Sequence, residues 1–221
     1  MDTCHVPRFG YRVPMAAGTP LPYRLLRLIS ALPRWYFRFR VEGTRHVPAS
    51  GPCLIAANHV SYFDPIALAL ACPRPVRFII DREQYFRPLV HWVAAHTGAI
   101  PVENDPRDIG SLRRALGALR EDAVLGIFPE GGRSVDGGLK PSKPGAALLA
   151  LRAGVPLVPA GIAGAFAAYS RYHRFPRRRP IVVRFGEPLD LPGAWRGHAA
   201  REHLGEAMDL LMARIGNLAA G

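Results

Sequence analysis

From about residue 36 onward, short apolar runs bounded by glycine, proline and polar clusters alternate with stretches of helical period. Phe37–Val41, Cys53–Ala57, Val76–Ile80, Ala99–Val102, Val124–Phe128, Leu157–Ile162 and Ile181–Phe185 are rich in β-branched and aromatic residues and read as strands. Ile66–Ala71, Gln84–His96, Ile109–Leu119, Ala146–Ala153 and Ala199–Ile215 read as helices, with Arg113, Arg114 and Arg120 outward on the third. Alternation of this kind predicts an α/β fold: a single domain with a largely parallel central sheet covered by helices. No internal repeat or interdomain linker interrupts it. The boundaries expected are a flexible tail over residues 1–20, a helical attachment over 21–39 and the main domain over 40–221.

The attachment has a distinct pattern. On a helix running Leu21–Phe39, Arg24, Arg27, Arg34 and Arg38 fall within about 80° of one another. Leu21, Leu25, Leu28, Ile29, Leu32, Trp35 and Tyr36 occupy the other side. A cationic stripe opposite a leucine and aromatic stripe suits a helix lying on a membrane surface, and four arginines in so short a stretch exclude a span. Pro33 removes a backbone bond to Ile29 and is expected to kink or split the helix. The competing reading is a helix packed on its own domain. Residues 1–20 lack the apolar core of a signal peptide.

Composition sharpens this picture at three points. The chain has 221 residues, 49% hydrophobic and 21% charged, which excludes a wholly disordered protein. Three cysteines, Cys4, Cys53 and Cys72, form no CxxC pair and no disulfide framework, and no HExxH or Cys/His cluster suggests a metal site. The net charge of +12 is concentrated: eight arginines face only Asp2 and Glu42 in residues 1–52, six arginines face no acid in 171–184, and the rest is neutral. Two basic patches on a neutral body suit a polyanion, either an anionic membrane or nucleic acid.

Chemistry in open α/β sheets collects where strands end. After Cys53–Ala57 comes Asn58-His59-Val60-Ser61-Tyr62-Phe63-Asp64-Pro65, and after Val124–Phe128 comes Pro129-Glu130-Gly131-Gly132-Arg133-Ser134. His59 is suited to take a proton near neutral pH, and an acid five residues on can fold back to fix its tautomer. Asp64 followed by Pro65 also reads as a helix N-cap, and the two roles are compatible. In the second loop, Gly131 and Gly132 allow backbone N–H groups to approach an anion, Arg133 offers a fork for phosphate oxygens, and Glu130 could accept from a substrate hydroxyl. An ordinary glycine turn with Arg133 paired to Glu130 fits the same residues. Neither loop matches GxxxxGK[ST] or GxGxxG.

Taken together, the NHxxxxD block at Asn58–Asp64 and the FPEGxRS block at Phe128–Ser134 resemble the lysophosphatidic acid acyltransferase (1-acylglycerol-3-phosphate acyltransferase-like) family. Gly98-Ala99-Ile100-Pro101-Val102 is similar to that family's second segment, and Val155–Ala160 to its late VPxVP strand. The resemblance covers about residues 40–190 and makes 40–221 an acyltransferase domain. It implies transfer of a fatty acyl group from an acyl-CoA or acyl carrier protein thioester to a lysophospholipid hydroxyl, with lysophosphatidic acid the expected acceptor. It implies catalytic His59 and Asp64, with Glu130, Gly131, Gly132, Arg133 and Ser134 binding substrate. No metal and no bound cofactor is implied. The expected partners are the lysophospholipid, the acyl donor and an anionic membrane surface, not nucleic acid, at the cytoplasmic face of the membrane. Gly132 stands where the family often has Thr. Asn104 stands where many members carry Arg, so Arg107 or a different lysolipid is implied. The runner-up is a non-catalytic basic lipid- or nucleic-acid-binding protein, with Tyr169–Pro180 interleaving aromatics and arginines.

Overall fold

The computed structural model describes residues 31–103, 109–189, 191, 192, 195 and 202–221. Seven strands form one sheet: β1 (Arg40–Glu42), β2 (Cys53–Ala57), β3 (Val76–Asp81), β4 (Ile100–Val102), β5 (Val124–Ile127), β6 (Leu157–Ala163) and β7 (Val182–Phe185), in the order β1-β7-β6-β2-β5-β3-β4. β6, β2, β5, β3 and β4 run parallel, as the alternation predicts. β7 lies antiparallel to β6 and pairs in parallel with β1, so one edge of the sheet is reversed. The helices described are α1 (Ala31–Tyr36), α2 (Asp64–Ala71), α3 (Arg82–Tyr85), α4 (Pro88–His96), α5 (Ile109–Arg120), α6 (Gly145–Ala153), α7 (Ala165–Tyr169) and α8 (Leu204–Ala220).

The side-chain alternation of a strand explains why β2 is apolar throughout. Cys53, Ile55 and Ala57 face a core completed by Ala67, Leu68 and Ala71 of α2 and Ala165 and Ala168 of α7. Leu54 and Ala56 face the opposite core, shared with α5, α6 and α8. β2 is therefore central, buried on both faces, with β5 and β6 as its parallel neighbours. Glycine is needed where α8 crosses β6: a Cβ on Gly161 would overlap the backbone of Leu218 and Ala219.

Several expected boundaries shift. Phe37–Val41 is not one strand, because α1 ends at Tyr36 and β1 begins at Arg40. The expected helix Gln84–His96 is two, α3 and α4, since Pro88 opens the second and has no N–H with which to continue the first. The last helix begins at Leu204 and runs to Ala220. Of the proposed helix Leu21–Phe39, only Ala31–Tyr36 is helical within the described residues; the tail 1–20 and residues 21–30 lie outside them. Arg34, assigned to the cationic stripe, donates to the Leu70 carbonyl at 2.9 Å, so this part of the attachment packs on the domain. Cys53 and Cys72 are buried and form no disulfide among the described residues. No described helix is long and apolar enough to cross a membrane.

Candidate active site

β2 and β5 are adjacent and in register, with Ala56 opposite Ile127, so the loops that follow them leave the sheet side by side. Asn58 extends the β2 ladder with its side chain: Nδ2 donates to the Ile162 carbonyl at 3.0 Å and Oδ1 accepts from the Ile162 N–H at 2.7 Å. That anchor fixes where the next residue, His59, leaves the sheet. The second loop grips both backbone groups of His59. Its N–H donates to Glu130 Oε1 at 2.7 Å, and its carbonyl accepts from the Ser134 N–H at 2.7 Å.

The His59 ring stacks on Phe128, centroids 4.3 Å apart, and Phe128 stacks in turn on Phe78 at 6.0 Å. Room for Phe78 comes from Gly126, where a Cβ would lie 2.7 Å from the Phe78 ring. His59 Nδ1 meets Asp64 Oδ2 at 2.9 Å. The same oxygen accepts the N–H groups of Val60 and Ser61, each at 2.6 Å. Asp64 therefore folds back onto the loop before it and does not cap its own helix, which corrects the N-cap reading; the residue before it, Phe63, makes no side-chain cap bond. Asp64 is fully buried while the His59 side chain keeps 16% exposure. Burial pushes the Asp64 carboxyl above its ordinary value, and the pull of His59 and the two backbone donors opposes it. With Nδ1–H given to Asp64, the free lone pair of the imidazole lies on Nε2, which has no partner among the described residues.

Arg133 is not paired to Glu130. Its guanidinium sits over the Tyr62 ring, and its buried Nη1 donates to nothing among the described residues. The Gly131 N–H is used within the turn, on the Phe128 carbonyl at 3.0 Å, whereas the N–H groups of Gly132 and Arg133 have no partner among the described residues. The donors available to an anion are thus those of residues 132 and 133 plus the Arg133 side chain.

Glu130 and Ser134 prove to be internal to the site. Glu130 Oε2 accepts the Lys140 N–H at 2.9 Å, so both carboxylate oxygens serve backbone donors. Burial raises its carboxyl from the ordinary value, against the pull of those two N–H groups. Ser134 Oγ donates to Asp136 Oδ1 at 2.9 Å and accepts the Gly137 N–H at 3.0 Å. Glu130 thereby forms a clamp joining His59 to the segment at Lys140. Asn104 and Arg107 lie outside the described residues. Among the described residues no group of three or more His, Cys, Asp or Glu could hold a metal ion. Sequence reasoning missed Tyr62 and Phe128 as parts of the site; the available signal was that both aromatics stand inside the two motifs themselves.

A buried acid thus orients a histidine at the carboxyl end of a parallel sheet, beside an arginine on the neighbouring loop whose buried nitrogen has no partner among the described residues. The Acyltransferase family model matches residues 38–163, and the chain belongs to that family. It is similar to the chloroplastic 1-acyl-sn-glycerol-3-phosphate acyltransferase BAT2 of Brassica napus, 33% identical over 132 residues, which are 58% of this chain and 38% of the relative. The human 1-acyl-sn-glycerol-3-phosphate acyltransferase beta is 34% identical over 125 residues, 55% of this chain and 45% of that protein. The chain thus spans less than half the length of these relatives. Its fold is that of the 1-acyl-sn-glycerophosphate (LPA) acyltransferase PlsC from Thermotoga maritima, with a TM-score of 0.72 at 21% identity, covering 89% of this chain and 79% of that one.

Proposed function

We propose that the protein transfers a fatty acyl group from an acyl-CoA or acyl carrier protein thioester to the free hydroxyl of lysophosphatidic acid, giving phosphatidic acid. His59 Nε2 takes the hydroxyl proton as the oxygen attacks the thioester carbonyl carbon. The C–S bond then breaks, and the imidazolium returns the proton to the leaving thiolate. Asp64 holds the tautomer and stabilises the imidazolium. A thioester is already activated, so neither a metal nor a covalent acyl-enzyme is needed. Arg133 and the N–H groups of Gly132 and Arg133 hold the acceptor phosphate, while Glu130, Gly131 and Ser134 keep the loop in shape.

The observation that carries this reading is the free Nε2 of His59, held by the buried Asp64, on a loop stitched to the one that presents the unsatisfied Arg133. The acceptor class follows the relatives, which are 1-acyl-sn-glycerol-3-phosphate acyltransferases. The working position is the cytoplasmic face of a membrane, held peripherally, because acceptor and product both reside in a bilayer and the basic residues cluster. Incubation with a panel of lysolipids and both donor types, with products identified by mass spectrometry, tests it. Acylation of an amino-acid-based or choline lysolipid in preference to lysophosphatidic acid would replace the acceptor and leave the chemistry.

A further inference from the structure

Between α7 and β7 the chain runs Ser170-Arg171-Tyr172-His173-Arg174-Phe175-Pro176-Arg177-Arg178-Arg179, a segment with no acid. All five arginines are exposed, and none is ion-paired among the described residues. Tyr172 is 66% and Phe175 70% exposed. The segment is nevertheless held in shape. His173 N–H donates to the Ser170 carbonyl at 3.1 Å and Arg177 N–H to the Ala168 carbonyl at 2.8 Å. Tyr36 of α1 donates its hydroxyl to the Pro176 carbonyl at 3.0 Å, and Arg178 lies over the Trp35 ring at 4.8 Å. Trp35 and Leu32 are themselves 63% and 69% exposed. At the start of the segment, Ser61 of the catalytic loop donates to the Tyr169 carbonyl at 2.6 Å.

A loop fixed at both ends that presents five unpaired arginines and two large aromatics to water serves no interior of its own. Arginines beside aromatic rings suit a surface that is anionic outside and apolar just beneath, which is the chemistry of a lipid headgroup layer. A nucleic acid could stack bases on Phe175 but would have no use for the exposed aliphatic Leu32 beside it. We propose that loop 170–179, together with Leu32 and Trp35 of α1, is a docking face for the anionic headgroup layer of a bilayer, and that its tie to Ser61 sets the catalytic loop against that layer. This places attachment on the folded domain, independently of residues 1–30, and does not depend on which acceptor is used.

The test uses the full chain with vesicles of phosphatidylcholine alone and of phosphatidylcholine with one third phosphatidylglycerol. Two variants are compared with the wild type, Arg171→Glu/Arg174→Glu and Tyr172→Ser/Phe175→Ser. Wild type should sediment with the anionic vesicles only, and each variant should partition about tenfold less or weaker still. The charge variant should also lose most of the salt dependence. Acylation of a short-chain, monomeric acceptor should stay within about twofold of wild type, which also controls for folding, while acylation of vesicle-embedded acceptor falls. Wild-type partitioning in either variant, or equal binding to neutral vesicles, would overturn the proposal. So would single-stranded oligonucleotide binding that falls about tenfold in Tyr172→Ser/Phe175→Ser, since base stacking and not a lipid layer would then use the aromatics. Absence of acyl transfer with vesicle binding intact would count against the proposed activity, not against this face.

Discussion

The guanidinium carbon of Arg133 lies 3.4 Å from the centre of the Tyr62 ring. Tyr62 belongs to the loop after β2 and Arg133 to the loop after β5, so the contact joins the two motifs through side chains as the His59 backbone bonds join them through the main chain. Stacking against the ring occupies the face of the guanidinium and leaves its in-plane N–H groups for a ligand. Tyr62 is then a positioning residue for Arg133. Tyr62→Leu should raise the acceptor KM by about 3- to 30-fold with a smaller change in kcat and in the donor KM. Tyr62→Phe should behave like wild type, and Arg133→Lys should recover only part of the loss in Arg133→Ala. Equal effects on both substrates would show that the stack is only structural.

The His59–Asp64 pair makes a second prediction. His59→Ala should lower kcat by about 10²–10⁴-fold with an unchanged far-ultraviolet circular dichroism spectrum. Asp64→Asn should lower kcat by a similar factor, because an amide cannot stabilise the imidazolium. An N-cap role would have predicted near-normal activity, since Asn caps well. Measured turnover in Asp64→Asn therefore separates the two accounts of this residue.

How much of this was legible in the sequence follows from the range of the forces involved. The parallel core was, because an apolar run such as Cys53–Ala57 states that both faces are buried. The antiparallel pairing of β6 with β7 was not: strand direction at a sheet edge depends on the connection, and 164–181 carries no helix long enough to signal a crossover. The spacing of His59 and Asp64 announced their contact, but each motif alone also fits an ordinary use, an N-cap or a glycine turn, and only the two together singled out His59, Asp64 and Arg133. Glu130 was assigned outward because a motif carboxylate reads as chemistry. Its two backbone donors, the N–H groups of His59 and Lys140, come from positions 71 residues before it and 10 after it, and no local pattern announces them.

The packing of α8 supplies a prediction for stability. A methyl group at position 161 would meet the Leu218 and Ala219 backbone, and neither β6 in the sheet centre nor a helical backbone can yield as a side chain can. Gly161→Ala should lower the free energy of unfolding by about 1–3 kcal/mol, read from urea midpoints. Gly205→Ala, where the added methyl has nothing within 4 Å, is the control and should be neutral or slightly stabilising.

Glu130 yields a dependence on pH whose sign is set by burial. Its carboxyl titrates above the ordinary value of 4.5 because desolvation outweighs the His59 and Lys140 N–H groups and the nearby charges. The folded protein then holds the Glu130 proton more tightly than the unfolded chain does. Between the ordinary glutamate range and the raised value, the folded state binds more protons, so stability falls as pH rises across that window. Gln at this position does not titrate, and its mismatch with one of the two N–H donors costs the same at every pH. The stability of wild type relative to Glu130→Gln should therefore be greatest below the ordinary glutamate range, decline as pH climbs through the raised value, and level off above it. Urea unfolding of both proteins at a series of pH values measures the difference directly. A difference that grew with pH would mean that the two N–H groups hold the ionised carboxylate more strongly than burial opposes it.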